Sequence, residues 1–304
     1  MNYFEKQIHD FIESLKLRHY AADTIRSYYQ HIELFLRWVV LKNIYDLREI
    51  TEGHIKEYQS HLRKQPITPH TIHIKLRSIK RFFEYLEASN TLLYNPATKI
   101  IYPQLGERLP TNVLTHDEIK RLLKTPNTGT ATGIRNMAML ELLYSTGLRR
   151  EECVSVDCGD VDYEGGYVRV TRGKGRKDRI VPVGTKACMR IKDYIEKIRP
   201  RYAEKDPEER ALFLSIKGNR LTSKMLGYIL QILAKKAHIT KTVTAHTIRR
   251  TVATHLLEND THPLYIQRLL GHERLDTLRR YIKIAGTDVK KTHKKTHPRE
   301  KDRQ

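Results

Sequence analysis

The sequence contains side chains that could together transfer a phosphodiester without a metal ion. They are two arginines, a lysine, two histidines and a tyrosine, in the order Arg149, Lys174, His246, Arg249, His272 and Tyr281. Guanidinium groups can clamp the nonbridging oxygens of a phosphate and neutralise the charge of a pentavalent phosphorus. A lysine or histidine can protonate the departing sugar oxygen. A tyrosine hydroxyl can attack phosphorus once cations or a base lower the cost of its proton.

The local patterns around these residues favour turns and helix faces. Arg149 follows the turn Thr146-Gly147, and Glu152 comes three residues later. His246 and Arg249 are spaced i and i+3, which places them on one face of a predicted helix. Each pattern alone is weak evidence, since such pairs are common on protein surfaces. The prediction depends on the ordered set.

Other phosphate chemistries are not indicated. The sequence has no clustered Asp and Glu of the kind that a two-metal nuclease needs, and no G-x-x-x-x-G-K-[ST] phosphate loop that would indicate ATP use. Cys153, Cys158 and Cys188 cannot all pair and form no C-x-x-C motif, so we expect inert thiols rather than a zinc ribbon. His293 and His297 lack an evident third ligand, and we predict no metal site and no cofactor.

The charge of the chain indicates a polyanionic partner. The 304 residues carry a formal net charge of +21, and such an excess is most simply explained by nucleic acid. Residues 1–105 hold 15 Lys and Arg against 11 Asp and Glu, so most of the excess lies further on. An anionic membrane surface is the alternative, but no basic amphipathic helix with an aromatic face is evident. No apolar run approaches the roughly 20 residues of a membrane span, and the first residues do not resemble a secretory signal. We therefore expect a cytoplasmic, nucleoid-associated protein.

Elements that could position these residues follow from hydrophobic spacing. Apolar residues at helical spacing predict four N-terminal helices, at about residues 3–16, 21–41, 51–62 and 69–88. The fourth predicted helix carries four cations on the face opposite its apolar residues, Lys75, Arg77, Lys80 and Arg81. These cations are compatible with a solvated surface or with contacts to a DNA backbone.

A boundary is predicted where helix breakers cluster, around residues 95–112. Beyond it, Thr115 and Glu118 form a capping-box pattern that begins a new helix. Residues 167–183 place β-branched runs on both sides of Gly173-Lys174-Gly175, which predicts a hairpin with Lys174 at its tip. Helices are predicted again from Ala187. The predicted fold is mainly α in two domains: residues 1–100 as a helical DNA-binding bundle, 101–112 as a linker, and 113–304 as a mostly helical catalytic domain with a small antiparallel sheet.

The order Arg, Lys, H-x-x-R, G-H, Tyr resembles the tyrosine recombinase (phage integrase) family, especially its short Xer branch. The resemblance covers nearly the whole chain. In the first domain, Thr24-Ile25 and Tyr28 resemble the core-binding domain of this family. Three stretches carry it most clearly, residues 142–149, 173–182 and 251–257, the last flanked by His246 and Arg249 on one side and by Leu270-Gly271-His272 on the other.

The resemblance implies a role for each site residue. Arg149 and Arg249 would clamp the phosphate, and Lys174 would be the general acid for the 5′ oxygen. His246 and His272 would assist proton transfer, Tyr281 would be the nucleophile, and Glu152 would orient the site. Two departures from the family pattern are Arg250, where many relatives have histidine, and the basic surroundings of Tyr281. Residues 287–297 would form a helix that docks on a neighbouring subunit.

The resemblance further implies a site-specific recombinase that acts on double-stranded DNA through a 3′-phosphotyrosine and a Holliday junction, without ATP. Four protomers would act on paired sites, as a homotetramer or with a second recombinase. Three alternatives stay open: a type IB topoisomerase, a non-enzymatic DNA-binding protein and a telomere-resolving enzyme. The sequence does not identify the target site, and it does not distinguish resolution of chromosome dimers from movement of a mobile element.

Overall fold

The N-terminal part of the protein forms a bundle of four helices. A computed structural model describes residues 3–104, 112–171 and 178–271. The helices of the bundle are α1 (Tyr3–Leu17), α2 (Ala22–Val40), α3 (Glu52–Arg63) and α4 (Pro69–Ala88), with a 3₁₀ turn at Leu47–Glu49. The four predicted helices are confirmed, and the 3₁₀ turn is additional.

Capping residues explain where these helices begin. The Thr51 side chain accepts a hydrogen bond from the His54 backbone, and His54 Nδ1 accepts one from the Thr51 backbone, so α3 begins with a capping box. Thr68 caps α4, and Pro69 follows at its first position, where a missing N–H costs nothing. These local signals therefore fix both helix starts.

Aromatic rings fill the core of the bundle. Phe35 of α2 packs edge-to-face against Tyr58 of α3, with ring centroids 5.0 Å apart, and against Phe83 of α4. Phe11 of α1 makes the same kind of contact with Phe82 of α4 at 5.6 Å. Because such pairs are directional, they fix the helix faces as well as burying apolar area.

The C-terminal part is also mainly helical. Its α-helices in the described residues are α5 (His116–Lys124), α6 (Ala131–Thr146), α7 (Arg150–Ser155), α8 (Thr185–Lys197), α9 (Arg199–Tyr202), α10 (Ser223–Lys236), α11 (Ala245–Glu258) and α12 (Pro263–Leu270). The apolar helix α6 is central and packs against α8 and α11. Thr115 and Glu118 form the predicted capping box at the start of α5.

A three-stranded antiparallel sheet in the order β1-β2-β3 completes this part. Its strands are β1 (Val161–Asp162), β2 (Tyr167–Val170) and β3 (Arg179–Pro182). Val168 pairs with Val181 and Val170 with Arg179. The two predicted strands are confirmed. The two residues of β1 are too few to show a period of two, so the sequence did not reveal this strand.

The chain divides into two compact units, Met1–Glu107 and Arg108–Gln304. Each unit has its own buried apolar cluster. In the described residues, no helix combines the length and apolar character of a membrane span. The thiols of Cys153, Cys158 and Cys188 are all free, and burial raises the pKa of Cys153 to about 12, which agrees with inert cysteines.

Candidate active site

Arg149 is positioned by a tight turn between two helices. Helix α6 ends at Thr146, and its C-cap residue Gly147 adopts the left-handed conformation with φ of 62°. Leu148 is then fully buried, and Arg149 is the N-cap residue of α7. A Cβ atom at position 147 would lie 2.5 Å from Leu270 Cδ2. The left-handed conformation therefore favours glycine here, and a larger residue would also displace the Leu270 side chain of α12.

The Arg149 side chain is fixed by two acceptors. Its Nη1 donates to Glu152 Oε1 at 2.7 Å, and its Nη2 donates to the Gly271 carbonyl at 3.0 Å. The Arg149 backbone N–H donates to Glu152 Oε2 at 2.8 Å. The family resemblance implied an orienting role for Glu152, and this carboxylate lies against both the backbone and the side chain of Arg149.

Glu152 is buried and remains ionised. Burial by itself would raise its pKa, but hydrogen bonds from Arg179 and Arg149, together with the charge of Arg179, outweigh burial and lower the pKa to about 2. Arg179 of β3 donates Nη1 to Oε1 at 2.9 Å and Nη2 to Oε2 at 2.8 Å. One carboxylate thus joins two arginines from different parts of the chain.

Arg249 on α11 is 3% exposed and is held by backbone carbonyls. Its Nη1 donates to the Gly147 carbonyl at 2.8 Å, and its Nη2 donates to the Leu270 carbonyl at 2.5 Å. Thr244 caps α11 through a hydrogen bond from the Thr247 backbone at 3.1 Å. Arg249 therefore links the end of α6 to the end of α12.

His246 lies in the first turn of α11, one turn before Arg249. Its pKa is lowered first by partial desolvation of the imidazole and then by the positive charges of Arg250, Arg249 and Arg149. The residue still has an exposed side at the protein surface. The N-terminus of a helix also disfavours a cation. The structure thus brings Arg149, His246 and Arg249 together, with the imidazole favoured in its neutral form.

The remaining predicted catalytic residues, Lys174, His272 and Tyr281, lie outside the described residues. The predicted docking helix at 287–297 does so too. The chain positions next to them are described: β2 and β3 pair on either side of the segment with Lys174, and Gly271 immediately precedes His272.

The four predicted DNA-binding cations lie along α4 in the N-terminal unit. Arg77 and Arg81 are exposed, whereas Lys75 and Lys80 are partly buried. Arg81 forms an ion pair with Glu84 of the same helix at 3.1 Å. Such exposed pairs are weak, so the charge of Arg81 stays accessible to a phosphate.

Two features of the site were missed by sequence reasoning. One is Arg179, which occurs in a stretch that resembles the family but was given no role. The other is the pair of carbonyls of Leu270 and Gly271, which receive the two arginines. Backbone carbonyls are present at every position, so the sequence gives no sign of which ones bind an arginine. Glu152 and Arg179 are 27 residues apart in sequence, too far for a local pattern to reveal their contact.

A second cluster of titratable groups lies elsewhere in this unit. His116, His255 and Glu258 have potential ligand atoms within 4.8 Å of one another. The two imidazoles are stacked with centroids 3.8 Å apart and planes 17° apart, so their in-plane lone pairs cannot converge on one ion. Both nitrogens of His255 are also engaged, by the Tyr144 hydroxyl and the Leu114 carbonyl. This cluster therefore does not fit a metal site as it stands.

Family models match both parts of the chain. Residues 112–287 match the phage integrase family, and residues 8–90 match the phage integrase N-terminal SAM-like domain. Tyrosine recombinase XerD of Listeria monocytogenes is 33% identical over 294 residues, covering 96% of this chain and 98% of that protein. Tyrosine recombinase XerC of Pelotomaculum thermopropionicum is 36% identical over 256 residues, covering 83% of each.

Solved structures share the fold. The XerH site-specific recombinase, bound to a palindromic difH substrate in a post-cleavage complex, gives a TM-score of 0.71 at 21% identity, covering 89% of this chain and 79% of that one. A lambda integrase dimer on a COC′ core site also gives 0.71, at 17% identity, covering 91% and 94%. The chain therefore belongs to the phage integrase family and is a site-specific tyrosine recombinase of the Xer type.

Proposed function

We propose that this chain cuts and rejoins double-stranded DNA at a specific site through a covalent bond between Tyr281 and the 3′ phosphate. The observation that carries the proposal is the fixed pair of guanidinium groups on Arg149 and Arg249, which donate to the consecutive carbonyls of Gly271 and Leu270. His246 lies near both, and partial burial together with the positive charges of Arg250, Arg249 and Arg149 lowers its pKa. Such a preorganised set of donors suits a phosphate whose negative charge increases in the transition state.

The proposed reaction balances without an external energy source. The Tyr281 oxygen attacks phosphorus, the bond to the 5′ oxygen breaks, and Lys174 supplies the proton that the leaving oxygen needs. His246 and His272 accept and relay the tyrosine proton and hydrogen-bond the phosphate. The free 5′-hydroxyl of a partner strand then attacks the phosphotyrosine, so the bond energy is conserved and ATP is not needed. Repetition on the second strand pair would pass through a Holliday junction.

The proposed partner is DNA bound by both units. The net charge of +21 supports an extended contact with phosphates, with Lys75, Arg77, Lys80 and Arg81 of α4 contributing from the N-terminal unit. We propose residues 1–100 as the DNA-binding domain, 101–112 as the linker and 113–304 as the catalytic domain. Four protomers would assemble on two sites, alone or with a second recombinase, and residues 287–297 would dock on a neighbour. The protein would act in the cytoplasm on nucleoid DNA.

Covalent trapping tests this proposal. Wild type and Tyr281→Phe are incubated with a library of nicked duplexes in EDTA, and adducts that resist SDS are recovered and sequenced. We expect an adduct with wild type only, enriched in one sequence. An adduct with Tyr281→Phe would exclude Tyr281 as the nucleophile, and sequence-independent adducts with relaxation of supercoiled DNA would favour a type IB topoisomerase.

Strand exchange on the recovered sequence separates the remaining alternatives. Joined products from two duplexes support a recombinase, whereas hairpin ends would indicate a telomere-resolving enzyme. Tight DNA binding without adducts, for wild type on chromosomal DNA of its host as well as on the library, would favour a non-enzymatic DNA-binding protein.

A further inference from the structure

Arg179, the first residue of β3, has contacts beyond those of a surface strand residue. Its side chain is 16% exposed, and its two terminal nitrogens meet the two oxygens of Glu152 in a bidentate pair at 2.9 and 2.8 Å. A planar guanidinium matches a carboxylate in this geometry, which a lysine cannot reproduce.

The charge balance of the site depends on this pair. Glu152 also accepts from Arg149 Nη1 at 2.7 Å. Arg149 and Glu152 alone would sum to zero charge, which would weaken the attraction of Arg149 for a phosphate. Arg179 restores a net charge of +1 to the three side chains. Without it, the buried carboxylate would be balanced by Arg149 alone.

Arg179 also contacts the end of α12. A Cβ atom at Gly271 would lie 3.1 Å from Arg179 Nε and 3.2 Å from its Cδ and Cζ. A side chain at position 271 would therefore crowd Arg179, and Gly271 is in the left-handed conformation with φ of 63°, which favours glycine. The Gly271 carbonyl is the acceptor for Arg149 Nη2. Arg179 thus hydrogen-bonds Glu152 and lies beside Gly271, the two residues that hold the Arg149 side chain.

We propose that Arg179 is a positioning residue for DNA cleavage, which balances the charge of Glu152 and keeps Arg149 oriented and electrostatically available to the scissile phosphate. The proposal rests on the proposed function, because it presumes that Arg149 binds that phosphate. Arg179 itself acts through Glu152 and Gly271.

The test is a double-mutant cycle on the nicked duplex recovered by covalent trapping. Arg179→Met, Glu152→Gln and the double variant are compared with wild type in single-turnover cleavage at saturating protein, together with thermal unfolding. We expect Arg179→Met to cleave on the order of 100-fold more slowly. The double variant should cleave about 10-fold faster than Arg179→Met, because no buried carboxylate then competes with the scissile phosphate for Arg149.

Two further variants separate positioning from folding. Arg179→Lys keeps the charge without the bidentate geometry, and we expect its cleavage rate to lie between those of wild type and Arg179→Met. Arg169→Met is the matched control, because Arg169 lies on β2 of the same sheet and pairs with Asp160 at 3.0 Å. It should cleave within about 3-fold of wild type once its DNA is saturated.

The outcomes are distinct. Absence of adducts with wild type would refute the proposed function, whatever the variants do. Wild-type cleavage that Arg179→Met leaves unchanged would overturn the role of Arg179. If Arg179→Met unfolds, the comparison passes to Arg179→Lys alone and Arg179→Lys combined with Glu152→Gln, at a temperature where both are folded. A loss of cleavage in Arg179→Lys that Glu152→Gln does not relieve would leave only a structural role and overturn the proposal.

Discussion

Arg149 and Arg249 donate hydrogen bonds to adjacent carbonyls at the end of α12, Arg149 to Gly271 at 3.0 Å and Arg249 to Leu270 at 2.5 Å. The two guanidinium groups come from segments 100 residues apart. They are brought side by side by one helix terminus, whose last carbonyls lack intrahelical partners. The Leu270 and Gly271 carbonyls at the end of α12 therefore hold two guanidinium groups side by side despite the repulsion between their charges.

Replacement of Arg249 by lysine tests this alignment. An ammonium cannot donate to the Gly147 and Leu270 carbonyls in the same geometry, so Arg249→Lys should leave a buried acceptor unpaired. We expect the free energy of unfolding to fall by about 1–3 kcal/mol and single-turnover cleavage to fall on the order of 100-fold. Urea unfolding and cleavage of the trapped sequence measure the two effects.

Arg135→Lys is the matched control for Arg249→Lys. Arg135 is also a buried arginine of this unit, and its Nη1 donates to the Leu214 carbonyl at 2.9 Å. It contacts none of the site residues in the described part of the chain. We expect a similar loss of stability with cleavage near wild type at a temperature where both variants are folded. Equal loss of cleavage in both would mean that Arg249 acts through stability alone.

Glu152→Gln should change how stability depends on pH. The pKa of Glu152 is about 2 in the folded protein, against an ordinary value of 4.5. A depressed carboxyl pKa contributes stability that is fully present above about pH 4.5 and is lost as pH falls toward 2. At about 1.4 kcal/mol per pKa unit, the contribution is about 3 kcal/mol.

The measurement is urea unfolding of wild type and Glu152→Gln between pH 3 and 7. The difference between them should shrink as pH falls. Glu151→Gln is the control, because Glu151 is an exposed carboxylate of the same helix, and its replacement should change the free energy of unfolding by less than about 0.5 kcal/mol. A difference that stays constant with pH would show that Glu152 is not the group that titrates.

Gly147→Ala should destabilise the junction of α6 and α12. Alanine at a φ of 62° is strained, and its Cβ would lie 2.5 Å from Leu270 Cδ2. We expect a loss of about 2 kcal/mol and slower cleavage, because Leu270 carries the carbonyl that holds Arg249. Gly227→Ala is the matched control: Gly227 lies within α10 with nothing near its Cβ position, so alanine should stabilise the protein by about 0.5–1 kcal/mol.

The sequence predicted the elements whose causes are local. The capping box of Thr115 and Glu118 and the apolar spacing of α1 to α4 are read within a few residues, and the helices begin close to where these signals occur. The contact of Glu152 with Arg179 could not be read in this way, because it depends on β3 approaching α7. The carbonyls of α12 are likewise invisible to a pattern of side-chain types.

Arg250 should set the pH at which His246 is protonated. After desolvation, Arg250 is the largest cause that lowers the pKa of His246. Arg250→Gln should therefore raise that pKa, so His246 becomes cationic at a higher pH. If the neutral imidazole is needed to accept a proton, the acidic limb of the cleavage profile moves to higher pH as well.

The two shifts can be measured independently, the first by NMR titration of His246 and the second by single-turnover cleavage between pH 5 and 8. Lys224→Gln removes an exposed charge from α10 of the same unit and should leave both unchanged. An NMR shift without a change in the cleavage profile would exclude His246 from the proton transfer.

Neutralisation of the α4 cations should weaken DNA binding in a salt-dependent way. Each phosphate contact contributes about 0.9 to the slope of log K against log salt. Arg77→Gln with Arg81→Gln should therefore lower the slope by about 1.8 if both contact phosphates, and reduce affinity on specific and nonspecific duplexes alike. Both side chains are exposed on the helix surface, so the free energy of unfolding should change by less than about 0.5 kcal/mol.

The control is Lys6→Gln, which removes an exposed cation from α1. An unchanged slope for the double variant would mean that this face of α4 is solvated rather than bound to DNA, and the cations that hold the duplex would then have to be sought on other surfaces.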